Sequence, residues 1–248
     1  MMTDFFSDLD NTLIYSHRTA PNADKILVEM LDGREQSYMT RRTLTFLQNA
    51  PWLRLIPVTT RSKEQFARIS LFPARLPCPY ALVCNGGELL IGGESDPRWL
   101  EETRSLISPA MDALRAGIAL MENMSGGRVR TPSGLMAYAV FENPAEAVQK
   151  LRHAIGSPAL SILHNSRKVY CIPSILHKGT AVERFKTRYP TGTIAAAGDS
   201  VFDIPLLEIG EIAITTRALA NSVHNPHTIA IDDHLILSDE ICSVLAGI

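Results

Sequence analysis

Asp8 and Asp10 lie in the run Phe5-Phe6-Ser7-Asp8-Leu9-Asp10-Asn11-Thr12-Leu13. Aromatic residues leading into alternating Asp-Leu-Asp predict a short buried strand that ends in a polar turn. Residues two apart on a strand point the same way, so both carboxylates emerge together at its carboxyl end. Like charges at that separation repel unless a cation lies between them. Mg²⁺ suits hard oxygen ligands and leaves coordination positions for waters or substrate oxygens. Asn11 tolerates the left-handed backbone of a sharp turn, and Thr12 can cap the next stretch of chain. A lone Asp-x-Asp is more often a solvated strand-end turn, so any chemistry here needs partners from elsewhere in the chain.

The other candidates also fall at predicted strand ends. An apolar run over residues 53–58 ends in Thr59-Thr60-Arg61, and Ser62 with Gln65 fits the capping box that opens a helix. A hydroxyl beside the free N–H groups of a helix start suits a phosphoryl group, although most such hydroxyls merely cap. A third strand, residues 80–84, ends in Asn85-Gly86-Gly87, which permits a plain turn or close approach of backbone to a ligand. His177-Lys178-Gly179 runs into Thr180-Ala181-Val182-Glu183, read as another capping box, so Lys178 stands at a helix entrance. A small-residue strand over 193–197 ends in Gly198-Asp199-Ser200, with Asp203 four positions after Asp199. In an open parallel sheet, ligands gather at the carboxyl ends of strands. Together these groups offer acids for a metal, and a hydroxyl and an ammonium for phosphoryl oxygens. The combination is far more specific than any member.

Periodicity and turn residues predict the scaffold around these groups. Residues 25–30 and 34–39 flank Asp32-Gly33 and predict a hairpin projecting near the Asp8 site. His17 and Arg18 precede it, as solvated loop residues or as contacts for an anion. Residues 40–49 predict a helix. Between residues 88 and 169 the pattern changes. One long helix fits 97–116, strands fit 127–131 and 135–141, a helix fits 144–155, and strands fit 159–164 and 168–172. Helix-strand-strand twice over predicts an antiparallel sheet backed by two helices. Short strands at 213–215 and 228–231, a helix near 218–223 and a last helix over 235–246 complete the chain. The expected fold class is α/β: a Rossmann-like parallel core (1–87 and 172–248) with an inserted α+β cap (88–171) that sets substrate specificity. Arg128, Arg130, Arg167 and Lys168 lie on or beside the predicted cap strands.

Composition narrows the class. In 248 residues, 46% hydrophobic content and a formal charge of -2 describe an ordinary globular chain with a sizeable core. Near-neutral charge gives no electrostatic reason to expect nucleic acid or an anionic membrane as partner. Cys78, Cys84, Cys171 and Cys242 form no C-x-x-C pair, so neither a zinc site nor a disulfide framework is suggested. The first residues lack the basic flank and apolar run of a signal peptide, and no segment is long enough to span a bilayer. A cytoplasmic monomer or weak homodimer is expected.

The motifs resemble those of the haloacid dehalogenase-like (HAD) hydrolase superfamily across essentially the whole chain. Asp8-Leu9-Asp10-Asn11-Thr12 resembles its first motif and Val58-Thr59-Thr60-Arg61 its second. Lys178 resembles the third, and Gly198-Asp199-Ser200-Val201-Phe202-Asp203 the fourth. The cap's position and element order resemble the C2B type of the Cof-like and sucrose-phosphatase-like phosphatases. The resemblance implies a Mg²⁺-dependent phosphatase acting on a small phosphorylated metabolite, most naturally a sugar phosphate. It implies catalytic roles for Asp8 as nucleophile, Asp10 as acid and base, and Thr59 and Lys178 on the phosphoryl group. It places Mg²⁺ on Asp8, Asp10 (through its carbonyl), Asp199 and Asp203, the last serving Lys178 or a metal-bound water. Thr60, Arg61, Asn85, Gly86 and Arg167 are the expected substrate-binding residues. Two positions depart from the pattern: Thr60 where relatives often carry Gly, and Phe202 where they often carry Asn. A phosphomutase or phosphotransferase of the phosphomannomutase type uses the same motifs, and a non-catalytic sugar-phosphate binder is the remaining alternative.

Overall fold

The computed structural model describes residues 2–72, 74–124 and 128–248. The chain opens with β1 (Thr3–Ser7), β2 (Tyr15–Ser16), β3 (Lys25–Leu31), β4 (Arg34–Thr40), α1 (Arg41–Gln48) and β5 (Leu53–Pro57). Next come α2 (Lys63–Ala67), β6 (Tyr80–Val83), β7 (Glu88–Ile91) and β8 (Glu94–Ser95). The middle third holds α3 (Pro97–Ile107), α4 (Met111–Met124), β9 (Ala137–Val140), α5 (Pro144–Ile155), β10 (Leu160–Asn165) and β11 (Lys168–Pro173). The rest comprises α6 (Lys178–Arg188), β12 (Thr193–Gly198), α7 (Ile204–Leu207), β13 (Ile212–Thr216), α8 (Arg217–Ala220), β14 (Thr228–Ile231) and α9 (Leu237–Leu245).

The core sheet is parallel, in the order β14-β13-β12-β1-β5. All residues of β1 are buried, as a central strand covered on both faces requires. A parallel bridge from Val58 to Leu82 carries the pairing on from β5 to β6, whose own hairpin continues through β7 and β8. The β3–β4 hairpin turns at Asp32 (φ 50°) and Gly33 (φ 73°), the positive pair that a two-residue turn of this hand demands. Thr40 caps α1 by accepting from the Thr43 N–H, and Ser62 and Gln65 form the reciprocal capping box of α2.

Two compact units result: Met1–Asp96 with His177–Ile248, and Pro97–Leu176. In the second, β10, β11 and β9 form an antiparallel sheet. Ala137, Ala139, Val169 and Cys171 on one face pack with Leu114 and Met121 of α4 and Val148 and Leu151 of α5. The unit boundaries fall at 96/97 and 176/177 instead of the expected 87/88 and 171/172, because β7 and β8 pair with β6 and so belong to the core.

Other expectations change for identifiable reasons. The single helix expected over 97–116 is two helices separated by a 3₁₀ turn at Ser108–Ala110. Pro109 cannot supply the N–H that a continuous helix needs there. The strand expected over 127–131 is reduced to one bridge, Arg130 to Tyr138, and Gly127 lies outside the described residues. The second capping box is not at Thr180: the helix begins earlier, and the His177 ring accepts from the Thr180 N–H. Among the described residues no helix is long and apolar enough to cross a membrane.

Candidate active site

Asp8 follows the last residue of β1 and is tied to β12 by its N–H, which donates to the Ala197 carbonyl at 2.9 Å. Asn11 takes a left-handed conformation (φ 61°) and turns the chain back, so that its N–H reaches the Ile14 carbonyl at 2.7 Å. The chain after β12 bends at Asp199 and Ser200. There, Asp203 Oδ2 accepts from the Asp199 N–H (3.1 Å), the Ser200 N–H (2.9 Å) and the Ser200 hydroxyl (2.9 Å). That fold-back needs a glycine at 198, where an added Cβ would stand 2.3 Å from the Asp203 Cβ. Lys178 is the first residue of α6, and its side chain is almost wholly buried. Its ammonium donates to Asp8 Oδ1 and, at 2.5 Å, to Asp203 Oδ1.

Asp8, Asp199 and Asp203 offer carboxylate oxygens that all lie within 4.8 Å of one another. Burial raises the Asp8 carboxyl well above its usual range; Lys178 opposes this, while Asp203, Asp199 and Asp10 add repulsion. Burial and the neighbouring Asp203 push Asp199 up to about 7, against Lys178 and a hydrogen bond from the Thr12 hydroxyl at 3.3 Å. Burial would push Lys178 down, but Asp203 and Asp8 outweigh it and hold the ammonium charged. One ammonium among three carboxylates leaves the cluster short of positive charge. A hard divalent cation with oxygen ligands matches that donor set.

Thr59 lies buried on the next strand end, where its hydroxyl accepts from the Arg61 N–H at 3.2 Å. Its N–H donates to Leu82 and its carbonyl accepts from Asn85, so β5 and the turn after β6 are locked together. Cys84, Asn85 and Gly86 all have positive φ (52°, 59° and 88°). Gly86 is obligatory there, since a Cβ would meet the Ala181 Cβ at 2.2 Å. Thr60 is half-buried.

Arg61 is placed differently from its expected substrate-binding role. Its Nε and Nη2 form a fork onto Asp10 (2.8 and 2.7 Å), and its Nη1 donates to Glu29 at 3.0 Å. Asp10 is therefore turned toward Arg61, and its side chain is not part of the Asp8–Asp199–Asp203 oxygen cluster. An ion pair favours the carboxylate, contrary to the expectation of an environment that favours the protonated acid. Phe202 is buried and offers no polar atom. Arg167 sits in the second unit at the β10–β11 turn, exposed, as do Arg128, Arg130 and Lys168. Arg130 and Lys168 stand over the Tyr138 ring at 6.0 and 5.6 Å, on the sheet face opposite Ala137 and Ala139. Glu29 is not among the residues that sequence reasoning singles out; its one visible signal is a charge inside the apolar run Ile26-Leu27-Val28-Glu29-Met30.

No protein-family model and no curated protein sequence matches this chain. Solved structures do. The chain is similar to the sucrose-phosphatase of Synechocystis sp. PCC6803, solved with sucrose and phosphate, at 14% identity and TM-score 0.67, covering 100% of this chain and 98% of the other. It is similar to a sugar phosphatase of HAD subclass IIB at 14% identity and TM-score 0.66, covering 99% and 98%. It is also similar to the C-terminal domain of C. albicans trehalose-6-phosphate phosphatase at 13% identity and TM-score 0.61, covering 100% and 92%. A parallel core with an inserted antiparallel unit, matched end to end by such structures, is the fold of the HAD-superfamily phosphatases.

Proposed function

We propose that this protein is a Mg²⁺-dependent phosphatase of small phosphorylated metabolites, with sugar phosphates as the substrate class. The observation that carries the reading is the buried Lys178 ammonium shared by Asp8 and Asp203, with Asp199 alongside, at the carboxyl ends of β1 and β12. In the proposed reaction Asp8 attacks phosphorus and forms an aspartyl-phosphate as the alcohol departs. Asp10 gives that alcohol its proton and later accepts one from the hydrolytic water. Lys178 and the Thr59 hydroxyl stabilise charge on the transferring group. Asp8, Asp199, Asp203 and the Asp10 carbonyl are the oxygens that would hold Mg²⁺, which supplies positive charge against nucleophile–phosphate repulsion. Choice of leaving group is assigned to the cap unit, Arg167 included. The sugar-phosphate class draws support from the sucrose and trehalose-6-phosphate phosphatases that share the fold.

The test is phosphate release from a panel of phosphorylated sugars, polyols and nucleotides by purified protein with Mg²⁺. Asp8→Asn, nearly isosteric but a poor nucleophile, is the control. Release from at least one sugar phosphate is expected, falling about 10³-fold or more in Asp8→Asn. Undiminished release in that variant rules out Asp8 as nucleophile. Transfer of phosphate to a second sugar in place of water makes the protein a phosphotransferase.

A further inference from the structure

Charged side chains on a short hairpin ordinarily face water, yet the Glu29 carboxylate is fully buried while Leu27, Met30 and Leu31 beside it are exposed. The backbone explains the inversion. The β3–β4 register shifts on both sides of Glu29, and such a bulge lets the consecutive residues Val28 and Glu29 both turn inward. Ser70 holds the bulge in place: its N–H and hydroxyl both donate to the Val28 carbonyl, at 2.8 and 3.1 Å. A buried carboxylate needs its lone pairs filled. Glu29 Oε2 accepts from the Ser37 hydroxyl (2.7 Å) and Arg61 Nη1 (3.0 Å), and Oε1 accepts from Arg68 Nε (3.0 Å).

Arg61 is consequently held on opposite edges. Nε and Nη2 face Asp10, while Nη1 is anchored by Glu29 and, more loosely, by the Gln65 carbonyl at 3.3 Å. A guanidinium is rigid and planar, so fixing one edge fixes the direction of the other. Asp10 itself is 42% exposed and has little packing to hold its rotamer; the fork from Arg61 supplies the orientation.

The geometry points to Glu29 as a positioning residue: from the β3–β4 hairpin it fixes Arg61, and Arg61 aims the Asp10 carboxyl at the leaving group. This rests on the phosphatase reading and adds a residue outside the four motifs. Misplacing a reacting group by an ångström can cost up to about 10²-fold, and a mis-aimed acid matters only where the leaving oxygen needs its proton. Glu29→Gln keeps the shape but places an amide NH₂ against Arg61 or Arg68 and breaks one anchor.

The experiment compares kcat/KM for an alkyl phosphate and for p-nitrophenyl phosphate, whose leaving group departs without a proton. Wild type, Glu29→Gln and the milder Ser37→Ala are measured, with the Arg61 Nε–H resonance followed by NMR in each. Glu29→Gln is expected to lose roughly tenfold or more on the alkyl ester and less than about twofold on the aryl ester, with the Arg61 resonance shifted. Ser37→Ala is expected to move the ratio the same way by roughly two- to threefold, and it carries the test if Glu29→Gln does not fold. Equal losses on both esters, or an unchanged ratio in the folded variants, overturn the assignment of Glu29. A wild-type protein inactive on both esters and on every sugar phosphate overturns the phosphatase reading itself.

Discussion

Lys178 Nζ lies 2.5 Å from Asp203 Oδ1, and both side chains are sealed from solvent. Asp203 is itself pinned by the Asp199 and Ser200 backbone N–H groups, so this contact sets where the ammonium meets Asp8. Lys178→Met keeps the stem and removes the charge, leaving buried carboxylates uncompensated. Removing one partner of a buried pair costs about 3–5 kcal/mol. Urea denaturation of the metal-free protein is expected to show a loss of that order, with turnover lost as well. An unchanged midpoint would mean that Asp8 and Asp203 are already neutral in the metal-free fold.

Asp199 and Asp203 are expected to respond oppositely to the same chemical change. Asp203 uses its oxygens internally, so Asp203→Asn breaks bonds to Lys178 and the turn and lowers stability by about 2 kcal/mol or more. Asp199 bears a charge that burial and Asp203 make costly, so Asp199→Asn raises the metal-free melting temperature at pH 8 by about 2–4 °C while weakening Mg²⁺ binding. Calorimetric scans with and without Mg²⁺ read both effects. Two variants that moved together would remove the division between structural and metal-holding carboxylates.

The pH dependence arises from the same group. The folded value for Asp199, about 7, lies above that of an unfolded aspartate. The folded protein therefore keeps a proton that the unfolded chain releases, and that contribution to stability is lost as pH rises through about 7. A cation competes with the proton for the same oxygens. The rise in melting temperature produced by a fixed Mg²⁺ concentration is expected to be larger at pH 8 than at pH 6. A shift independent of pH would exclude Asp199 as a ligand.

Gly86→Ala is expected to destabilise the core unit by about 2–4 kcal/mol, from the positive φ and the collision with Ala181 together. The turn that carries Asn85 would move off α6, and thermal unfolding of the variant measures the loss. Gly33→Ala, with positive φ but open space around the new Cβ, is the comparison that isolates the steric part.

Much of the core was legible because its signals are local. Asp32-Gly33 names its turn, Ser62 with Gln65 names its helix start, and short apolar runs ending in Asp8, Thr59 and Asp199 name their strands. The features that escaped depend on distant partners. Nothing near Glu29 in the sequence reveals that Arg61 and Arg68 will neutralise it, so a charge in a strand looked like a solvated one. Arg61 looked available for substrate because its two carboxylate partners, Asp10 and Glu29, are far from it along the chain. The cap strand expected over 127–131 failed for a different reason. Pairing there survives only at Arg130, and β9 instead runs beside β11.

The position of β1 in the sheet has a consequence for the order of assembly. Its neighbours are β5, about fifty residues later, and β12, Thr193–Gly198, on the far side of the cap insertion. Every pairing in the cap sheet, by contrast, closes within Ala137–Pro173. Local contacts form fast, and long-range parallel pairings wait on loop closure. During synthesis the cap has all its strands before β1 can acquire its second neighbour. Lys178 and Asp203 arrive with that late segment, so Asp8 is made early and gains its countercharge only when the sheet is completed.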